Sequence, residues 1–335
     1  MGEFDLIERY FKAPARAMRA TNAVESNKIA LGIGDDCALL QPSTGMQLAI
    51  SSDMLVAGRH FFADVDPFTL GHKALAVNLS DLAACGAKPL AFTLALALPQ
   101  ADAAWLAPFS RGLLALAAEH NCALIGGDTT QGPLNICITV LGEVPKNQAL
   151  LRSGAKAGDD IYVSGTLGDA RMALEAMRGT LALPIEAFAS AKARLETPTP
   201  RVALGMALRG IASSAIDVSD GLLGDLGHIL KQSLVGAVID TSIAINLVAT
   251  QAMNTMANGQ FNTQKQLQFV LSGGDDYELA FTAPVSQRSA VQAAALASNT
   301  PVTRIGQIEA EPGLRLTDAQ GQAVPSNYGS FDHFK

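Results

Sequence analysis

Carboxylates recur along this chain in short segments of one design, in which apolar residues lead into glycine or serine and then into aspartate. Six such segments hold ten of the 31 acidic residues: Gly32–Asp36, Ser51–Asp53, Asn78–Leu82, Gly126–Thr130, Asp217–Gly221 and Gly273–Glu278. Magnesium prefers carboxylate and water oxygens, and it usually takes one or two carboxylates together with substrate phosphates. Several ions that bridge a triphosphate would therefore need several separate carboxylates at converging strand ends. The six segments predict such a metal site.

Any one of these segments, taken alone, is also typical of a turn or of the N-cap of a helix. Asp217 and Asp220, for example, precede a helix predicted to begin at Leu222, and they would cap it. Asp81 differs, because it lies inside a predicted helix, three residues after Asn78 and on the same face. Its neighbours there are apolar, so a metal ligand is the favoured interpretation of Asp81.

The usual nucleotide-binding and nucleophile motifs are absent from the sequence. There is no GxxxxGK(S/T) loop, no HRD or DFG set, and no GxGxxG after a strand. Gly126–Gly127 and Gly273–Gly274 would let the backbone approach phosphates closely, although paired glycines also serve as turns. Among the five histidines, His60 lies near an acidic segment, either as a functional group or as an ordinary hydrogen-bonded side chain.

Charge and hydropathy argue against two classes of partner. The formal net charge is −7 and no basic run is present, so nucleic-acid binding is not expected. The longest apolar stretch, Leu90–Leu98, is far shorter than the ~20 residues that a membrane-spanning helix needs, so no membrane is expected either. The N-terminus lacks the basic start of a signal peptide, and the four cysteines form no CxxC pair. These features predict reduced thiols and a cytoplasmic location.

Local patterns in the first half predict the elements that would position the acids. A helix is expected from Asp66–Pro67 to Gly86, with aspartate as the N-cap and proline at the first position. A strand at Ala91–Leu98 and a helix at Asp102–His120 follow. Residues 13–28 show little periodicity and are predicted to be a loop.

The second half alternates strands and helices more regularly. Strands are predicted at Ile161–Ser164, Ala215–Val218, Ala237–Ile239, Tyr277–Thr282 and Thr303–Ile308, and helices from Asp169, Arg201, Leu222 and Val285 and near 247–257. This alternation, in a chain of 335 residues that is 49% hydrophobic, favours a two-domain α/β (α+β) fold with helices layered on sheets. The domain boundary is placed near residue 148, which divides residues 1–148 from 149–335.

Seven peptides, in this order along the chain, resemble the thiamine-monophosphate kinase family: GIGDDCALL, SSDMLVAGRHF, KALAVNLSDLAACGA, LIGGDTT, RSGAKAGD, AIDVSDGL and GGDDYEL. The match runs from GEFDLI at residues 2–7 to FDHF at 331–334. The family shares a two-domain ATP-binding fold with aminoimidazole ribonucleotide synthetase and selenophosphate synthetase. The resemblance implies an N-terminal ATP- and metal-binding domain whose sheets pair across a homodimer, and a C-terminal α/β domain.

The resemblance also implies a reaction and a set of functional residues. ATP would phosphorylate thiamine monophosphate to thiamine diphosphate in the presence of several Mg²⁺ ions, by direct in-line transfer without a general base. The implied magnesium ligands are Asp36, Ser51, Ser52, Asp53, Asp81, Asp128 and Asp217, with Asp220 on a further ion. The implied ATP contacts are Gly127, Asp128, Arg152 and Ser219, and the implied contacts to thiamine monophosphate are His60, Asp275 and Phe331.

Two features depart from a simple transfer of these roles. Family members often read GGEDYE, so Asp275 is one methylene shorter than the more usual glutamate. Tyr328 lies only three residues from Phe331 and is the alternative substrate aromatic.

Two other functions stay open at this point. Within the superfamily the alternative is an ATP-dependent cyclo-ligase or a selenophosphate synthetase, although residues 1–30 lack the reactive cysteine that the latter usually carries. The alternative outside the enzymes is a noncatalytic regulator that binds a metal or a nucleotide. Acids at all six segments favour an enzyme, and release of ADP with thiamine monophosphate would separate the two.

Overall fold

The computed structural model describes residues 2–21, 28–248, 263–325 and 328–329. The chain forms two compact units. Unit 1 comprises Met1–Leu82 and Ala87–Asn147, and unit 2 comprises Ala83–Gly86 and Gln148–Lys335. Within the described ranges, no helix has both the length and the apolar character that crossing a membrane requires.

Unit 1 begins with a helical segment in three parts. Helix α1 (Glu3–Ile7) continues through a π-helical turn (Glu8–Lys12) into α2 (Ala13–Thr21). The predicted loop from residue 13 is therefore wrong as far as Thr21, and residues 22–27 lie outside the described part of the chain. Several alanines favour this helix by their high propensity, and an ion pair joins Lys12 to Glu8 at 3.1 Å on successive turns.

The main sheet of unit 1 has four strands in the order β3-β6-β4-β5. Its elements, with the short β1–β2 pair before it, are β1 (Ile29–Leu31), β2 (Leu39–Leu40), β3 (Met46–Val56), α3 (Pro67–Ala84), β4 (Lys88–Leu98), α4 (Ala103–Glu119), β5 (Ala123–Gln131) and β6 (Asn135–Pro145). Strands β3 and β4 run antiparallel to β6, whereas β4 and β5 are parallel and are connected through α4. The predicted strand and the two predicted helices of this region are confirmed.

One face of the unit 1 sheet is buried, and the other is exposed and partly apolar. Burial alternates along β3, as expected for a strand with one covered face. Leu55 is 5% exposed, whereas Ile50 and Met54 on the opposite face are 63% and 52% exposed. In β4, Ala95 is exposed between the buried Leu94 and Leu96.

The sheet of unit 2 has seven strands in the order β13-β12-β9-β11-β7-β10-β8. They are β7 (Asp160–Ser164), β8 (Ser214–Val218), β9 (Gly236–Asp240), β10 (Glu278–Ala283), β11 (Val302–Glu309), β12 (Gly313–Thr317) and β13 (Ala323–Val324). Among the described strands of this sheet, β9 with β12 is the parallel pair, and the other pairs are antiparallel. The sheet is mixed, which agrees with the predicted α/β (α+β) class.

Helices pack on this sheet around a core of buried aliphatic side chains. They are α5 (Asp169–Met177), α6 (Ile185–Glu196), α7 (Val202–Ala207), α8 (Leu222–Ser233), α9 (Thr241–Ala244), α10 (Thr263–Ser272) and α11 (Arg288–Ala297). Leu226 of α8 and Val270 of α10 lie in one cluster with Ile216 of β8 and Val163 of β7. Helix α6 was not predicted, and most of the helix predicted near 247–257 lies outside the described residues.

Candidate functional site

The first group of candidate residues in unit 1 lies where β3 meets α3. Asp66 starts α3, because its Oδ1 accepts a hydrogen bond from the N–H of Phe68 at 2.7 Å. The helix then carries Asp81, whose carboxylate accepts a hydrogen bond from the hydroxyl of Ser51 on β3. One turn earlier, Asn78 Oδ1 accepts the backbone N–H of Asp53 at 3.1 Å. Helix and strand thus place Ser51 against Asp81 and the backbone of Asp53 against Asn78.

This arrangement corrects the prediction that Ser51–Asp53 forms a turn at a strand end. The segment lies in the middle of β3, where Ser51, Ser52 and Asp53 pair with Val140, Thr139 and Ile138 of β6. Successive side chains in a strand point to opposite faces. Ser52 accordingly makes its contacts away from Asp81, with its hydroxyl 3.0 Å from Thr139 Oγ1 and donating to Ile138 O at 3.1 Å.

Asp128 and Gly127 lie on β5, at the other edge of the same sheet. The register places Asp53, Ile138, Leu94 and Gly127 in one row across the four strands. With neighbouring strands about 4.8 Å apart, the outer two backbones are roughly 14 Å from each other. Aspartate side chains are too short for Asp53 and Asp128 to bind the same ion across that distance. The described residues also contain no group of three or more His, Cys, Asp or Glu side chains placed to hold one metal ion.

Gly127 is a position that only glycine fits. Its φ is +143°, and a Cβ atom there would lie 1.9 Å from the carbonyl oxygen of Leu94. The positive φ would direct a side chain into the backbone of β4, so glycine is required just before Asp128.

Asp36 and His60 lie in exposed or half-buried connections of unit 1. Asp36 is exposed, and its N–H donates to Asp35 Oδ1 at 2.9 Å. His60 Nδ1 accepts the backbone N–H of Val56 at 3.0 Å, which fixes the ring beside the end of β3. The backbone bond leaves Nε2 as the ring nitrogen directed away from that contact.

In unit 2, the segment Asp217–Gly221 crosses from the end of β8 into α8. Asp217 is buried within β8, and Ser219 and Asp220 are half-buried in the turn that follows. Asp225, in the first turns of α8, accepts the N–H groups of Ser219 and Asp220 on its Oδ2, each at 3.0 Å. Burial raises the pKa of Asp225 to about 7, against the opposing effect of these backbone hydrogen bonds.

Sequence reasoning missed Asp225, although a signal for it was present. An acid that follows a turn by a few residues, inside the first turns of a helix, is typical of a side chain that reaches back to free backbone N–H groups. The resemblance drew attention to Asp217 and Asp220, and Asp225 was left unassigned.

Asp275 lies close to this turn in the structure. Its N–H donates to the carbonyl oxygen of Ser219 at 2.8 Å, and its backbone has a left-handed φ of +66°. The hydroxyl of Tyr277 lies 3.4 Å from Asp275 Oδ1. Ser219, predicted to contact ATP, and Asp275, predicted to contact the second substrate, are therefore neighbours within unit 2.

The other two acids of Gly273–Glu278 are enclosed by the fold. Both carboxylate oxygens of Asp276 accept the N–H of Gly168, at 3.0 and 3.1 Å, and complete burial raises the pKa of Asp276 well above its ordinary value. Glu278 is 0% exposed and lies 2.6 Å from Arg194 and 2.5 Å from Arg201. These contacts make Asp276 and Glu278 part of the framework that carries Asp275.

The remaining predicted residues are less constrained by the structure. Arg152 is exposed, and its carbonyl oxygen accepts the hydroxyl of Ser233 at 3.3 Å. Phe331 lies outside the described residues. Tyr328 is partly buried and packs against the core of unit 2.

Comparison with known proteins relates the whole chain to characterised groups. Residues 34–144 match the family described as AIR synthase related protein, N-terminal domain, and residues 156–319 match the corresponding C-terminal domain. The thiamine-monophosphate kinase of Salmonella typhimurium is 47% identical over 335 residues, which cover 99% of this chain and 98% of that protein.

Two solved structures have the same fold. A thiamine-monophosphate kinase from Stenotrophomonas maltophilia superposes with a TM-score of 0.81 at 46% identity, covering 91% of this chain and 95% of the other. AaThiL, in a complex with AMPPCP and TMP, superposes with a TM-score of 0.75 at 26% identity, covering 94% and 96% of the two chains.

Proposed function

Because the chain belongs to the thiamine-monophosphate kinase family, we propose that it transfers the γ-phosphoryl group of ATP to thiamine monophosphate, forming thiamine diphosphate and ADP. The observation that carries this proposal is 47% identity along 99% of the chain to a thiamine-monophosphate kinase. AaThiL, which shares the fold, was solved with an ATP analogue and TMP together. This pair of ligands suits a phosphotransferase better than a cyclo-ligase or a regulator.

We further propose that carboxylates of this chain hold Mg²⁺. Both substrates are anionic, and Mg²⁺ when bound would neutralise charge on their phosphates. The group at β3 and α3 fits such an ion in chemical kind, because Ser51, Asp53 and Asp81 offer a hydroxyl and two carboxylates at a partly exposed place. Asp36, Ser52 and Asp128 are further proposed ligands in unit 1, as are Asp217 and Asp220 in unit 2. The width of the sheet between Asp53 and Asp128 favours more than one ion.

The substrates themselves are assigned to the residues that match the family by position. The residues proposed to contact ATP are Gly127, Asp128, Arg152 and Ser219. The arginine supplies a fork of donors that suits phosphate oxygens, and the glycine offers backbone groups without a side chain.

Thiamine monophosphate would be bound by His60, Asp275 and Phe331. The two described residues of this set are both held by backbone hydrogen bonds, His60 through Nδ1 and Asp275 through its own N–H. The first bond fixes the ring of His60, and the second fixes the backbone that carries the Asp275 side chain, before the substrate arrives. The acceptor phosphate is already ionised at neutral pH, so transfer needs positioning and charge neutralisation and no general base is assigned.

The test of this function is direct. Purified protein with ATP, Mg²⁺ and thiamine monophosphate should form thiamine diphosphate and ADP in equal amounts, measured by chromatography against a boiled control. ADP without thiamine diphosphate would indicate another superfamily reaction. Absence of both products would leave a noncatalytic binding protein.

We also propose a homodimer that forms through the exposed face of the unit 1 sheet. Leu48, Ile50 and Met54 are 42%, 63% and 52% exposed on that face, which is unusual for large apolar side chains on one strand. A second copy of the same face would cover them.

The four cysteines are free thiols, which supports the cytoplasmic location proposed for the protein.

Sedimentation tests the dimer. Wild-type protein at micromolar concentration should sediment at twice 34.8 kDa, and Ile50→Glu should sediment as a monomer. Ile185→Glu is the matched control, since Ile185 is an equally large apolar residue, 87% exposed, that belongs to unit 2. A wild-type monomer, or a dimer that survives Ile50→Glu, would refute this interface.

A further inference from the structure

Asp225 is buried, and its hydrogen bonds go to the backbone of the turn that carries two proposed ligands. It is 4% exposed on α8, and one of its oxygens accepts both the Ser219 N–H and the Asp220 N–H at 3.0 Å. Two successive N–H groups that converge on one carboxylate oxygen form an anion-binding concavity, here filled by a side chain of the protein itself.

The opposite side of this turn is packed against another backbone segment. Gly221 has φ +111°, and a Cβ atom there would lie 2.8 Å from the carbonyl carbon of Ser272. A Cβ at Gly274 would lie 2.4 Å from the oxygen of Ser219. The turn is therefore held between Asp225 on one side and residues 272–274 on the other, with no side chain as a spacer.

The position of Asp225 also affects the neighbouring segment. The N–H of Asp275 donates to Ser219 O at 2.8 Å, and the N–H of Tyr277 donates to Val218 O at 2.9 Å. Asp225 therefore fixes the N–H side of residue 219 while Asp275 is attached to its carbonyl side. A shift of the turn would move Ser219, Asp220 and Asp275 together.

We propose that Asp225 is a positioning residue for the reaction, which sets the place of Ser219 and Asp220 and, through Ser219 O, of Asp275. The inference rests on the proposed kinase function and deepens it, because it adds a residue that touches neither substrate. Asp225 acts as a fixed hydrogen-bond acceptor under the turn. Without it, the N–H groups of Ser219 and Asp220 lose their acceptor and the turn relaxes.

The experiment compares Asp225→Ala, Asp225→Asn and a control, Asp240→Ala, in the full-length chain. Asp240 caps α9 by accepting the N–H and the hydroxyl of Ser242, so its removal also costs a backbone hydrogen bond in unit 2, at a strand other than the one that carries the proposed ligands. For each variant, kcat and KM for ATP and for thiamine monophosphate are measured at 25 °C, and Tm is measured separately.

Asp225→Ala should lower kcat/KM for ATP about 100-fold, the effect of displacing substrate-binding groups by about an ångström. Asp225→Asn should recover part of this, to a loss of about tenfold, because its amide oxygen still accepts from Ser219 and Asp220. Asp240→Ala should lower Tm and leave kcat and KM as in the wild type. A purely structural cap would move only Tm in all three proteins.

Wild-type kinetics in folded Asp225→Ala, or a loss in Asp225→Asn as large as in Asp225→Ala, would overturn the inference. If Asp225→Ala does not fold, Asp225→Asn decides alone, and wild-type turnover in that variant overturns the inference. A wild type without kinase activity would refute the proposed function instead, so the two failures are distinct.

Discussion

Units 1 and 2 hold their acidic side chains in two different ways. In unit 1, Asp81 is half-buried and accepts a hydrogen bond from the hydroxyl of Ser51. In unit 2, Glu278 is completely buried and is enclosed by Arg194 and Arg201, with nitrogen–oxygen distances of 2.6 and 2.5 Å. A carboxylate enclosed by two guanidinium groups has its charge balanced and has no room for a cation, whereas a half-buried one remains accessible.

The difference shows that exposure and partners separate structural acids from candidate ligands, while residue type does not. Within Gly273–Glu278, Asp275 is half-buried in a left-handed conformation, and Asp276 and Glu278 are enclosed. One short acidic segment therefore contains both kinds of carboxylate. Removing the charge of an enclosed acid should lower stability, whereas removing the charge of a half-buried acid should lower turnover.

The largest effect is expected for Glu278→Gln, which removes the negative charge that lies between Arg194 and Arg201. Arg194 and Arg201 would keep their charges in a poorly solvated place, at a cost of about 3–5 kcal/mol in the free energy of unfolding. Urea denaturation measures it. Glu311→Gln is the control, since Glu311 pairs with Arg315 at 3.2 Å but is 83% exposed, and such surface pairs contribute at most about 1 kcal/mol. Equal losses in both variants would break the distinction.

Asp81→Asn should act on turnover instead. Asparagine keeps the shape and can still accept the hydroxyl of Ser51, but it removes the charge proposed to hold Mg²⁺. The expected loss in kcat is on the order of 10²–10³-fold with little change in Tm. Asp102→Asn removes a charge elsewhere in unit 1 while keeping the N-cap of α4, where Asp102 accepts from the N–H of Ala104 at 2.9 Å. A lowered Tm with near-normal turnover would make Asp81 a structural acid.

A smaller and pH-dependent effect is expected at Asp160. Hydrogen bonds from Arg288, with help from Arg304, hold the pKa of this buried carboxyl below its usual range. A lowered pKa in the folded state stabilises the protein above about pH 4, and that contribution is lost as the pH falls through the lowered pKa.

The Tm of the wild type should therefore fall more steeply than that of Asp160→Asn between pH 5 and pH 3. At neutral pH the wild type should have the higher free energy of unfolding, by ~1–3 kcal/mol. The cost is smaller than at Glu278 because both arginines are about half exposed. Asp318→Asn, in a turn where Asp318 accepts the N–H of Gln320 at 2.9 Å, should keep the wild-type slope. Parallel curves of Tm against pH for the wild type and Asp160→Asn would show that the contact of Asp160 with its arginines does not contribute to stability.

Local sequence patterns predicted most elements of the fold and failed where tertiary pairing sets their length. Asp66 and Pro67 begin α3 as expected, because the cap and the proline act within one turn. The apolar pattern of the strand at Leu48–Ser51 ends at Ser51, but β3 continues to Val56, since β6 pairs with it residue by residue. No local signal in Ser51–Asp53 indicates that pairing.

The sequence predicted which acidic segments could hold ligands, but it did not predict which acids in them are enclosed by arginines. Glu278 finds Arg194 and Arg201 at sequence separations of 84 and 77 residues, and no spacing rule connects them. Asp225 differs, because its contacts lie five and six residues away and follow from the geometry of a helix start. The arginine partners of Glu278 became visible only in the structure. The contacts of Asp225 with the turn before α8 could have been predicted from the sequence.

The pairing of β3 with β6 has a consequence for how the chain is made. Some eighty residues separate the end of β3 from the start of β6. At 5–20 residues per second, a ribosome needs roughly 4–16 s to deliver the partner strand. During that interval both edges of β3 are unpaired, whereas one is covered by β6 in the folded sheet, and unpaired edges beside the apolar Ile50 and Met54 invite pairing with other nascent chains. The yield of folded protein should therefore depend on how soon β6 follows β3 during synthesis.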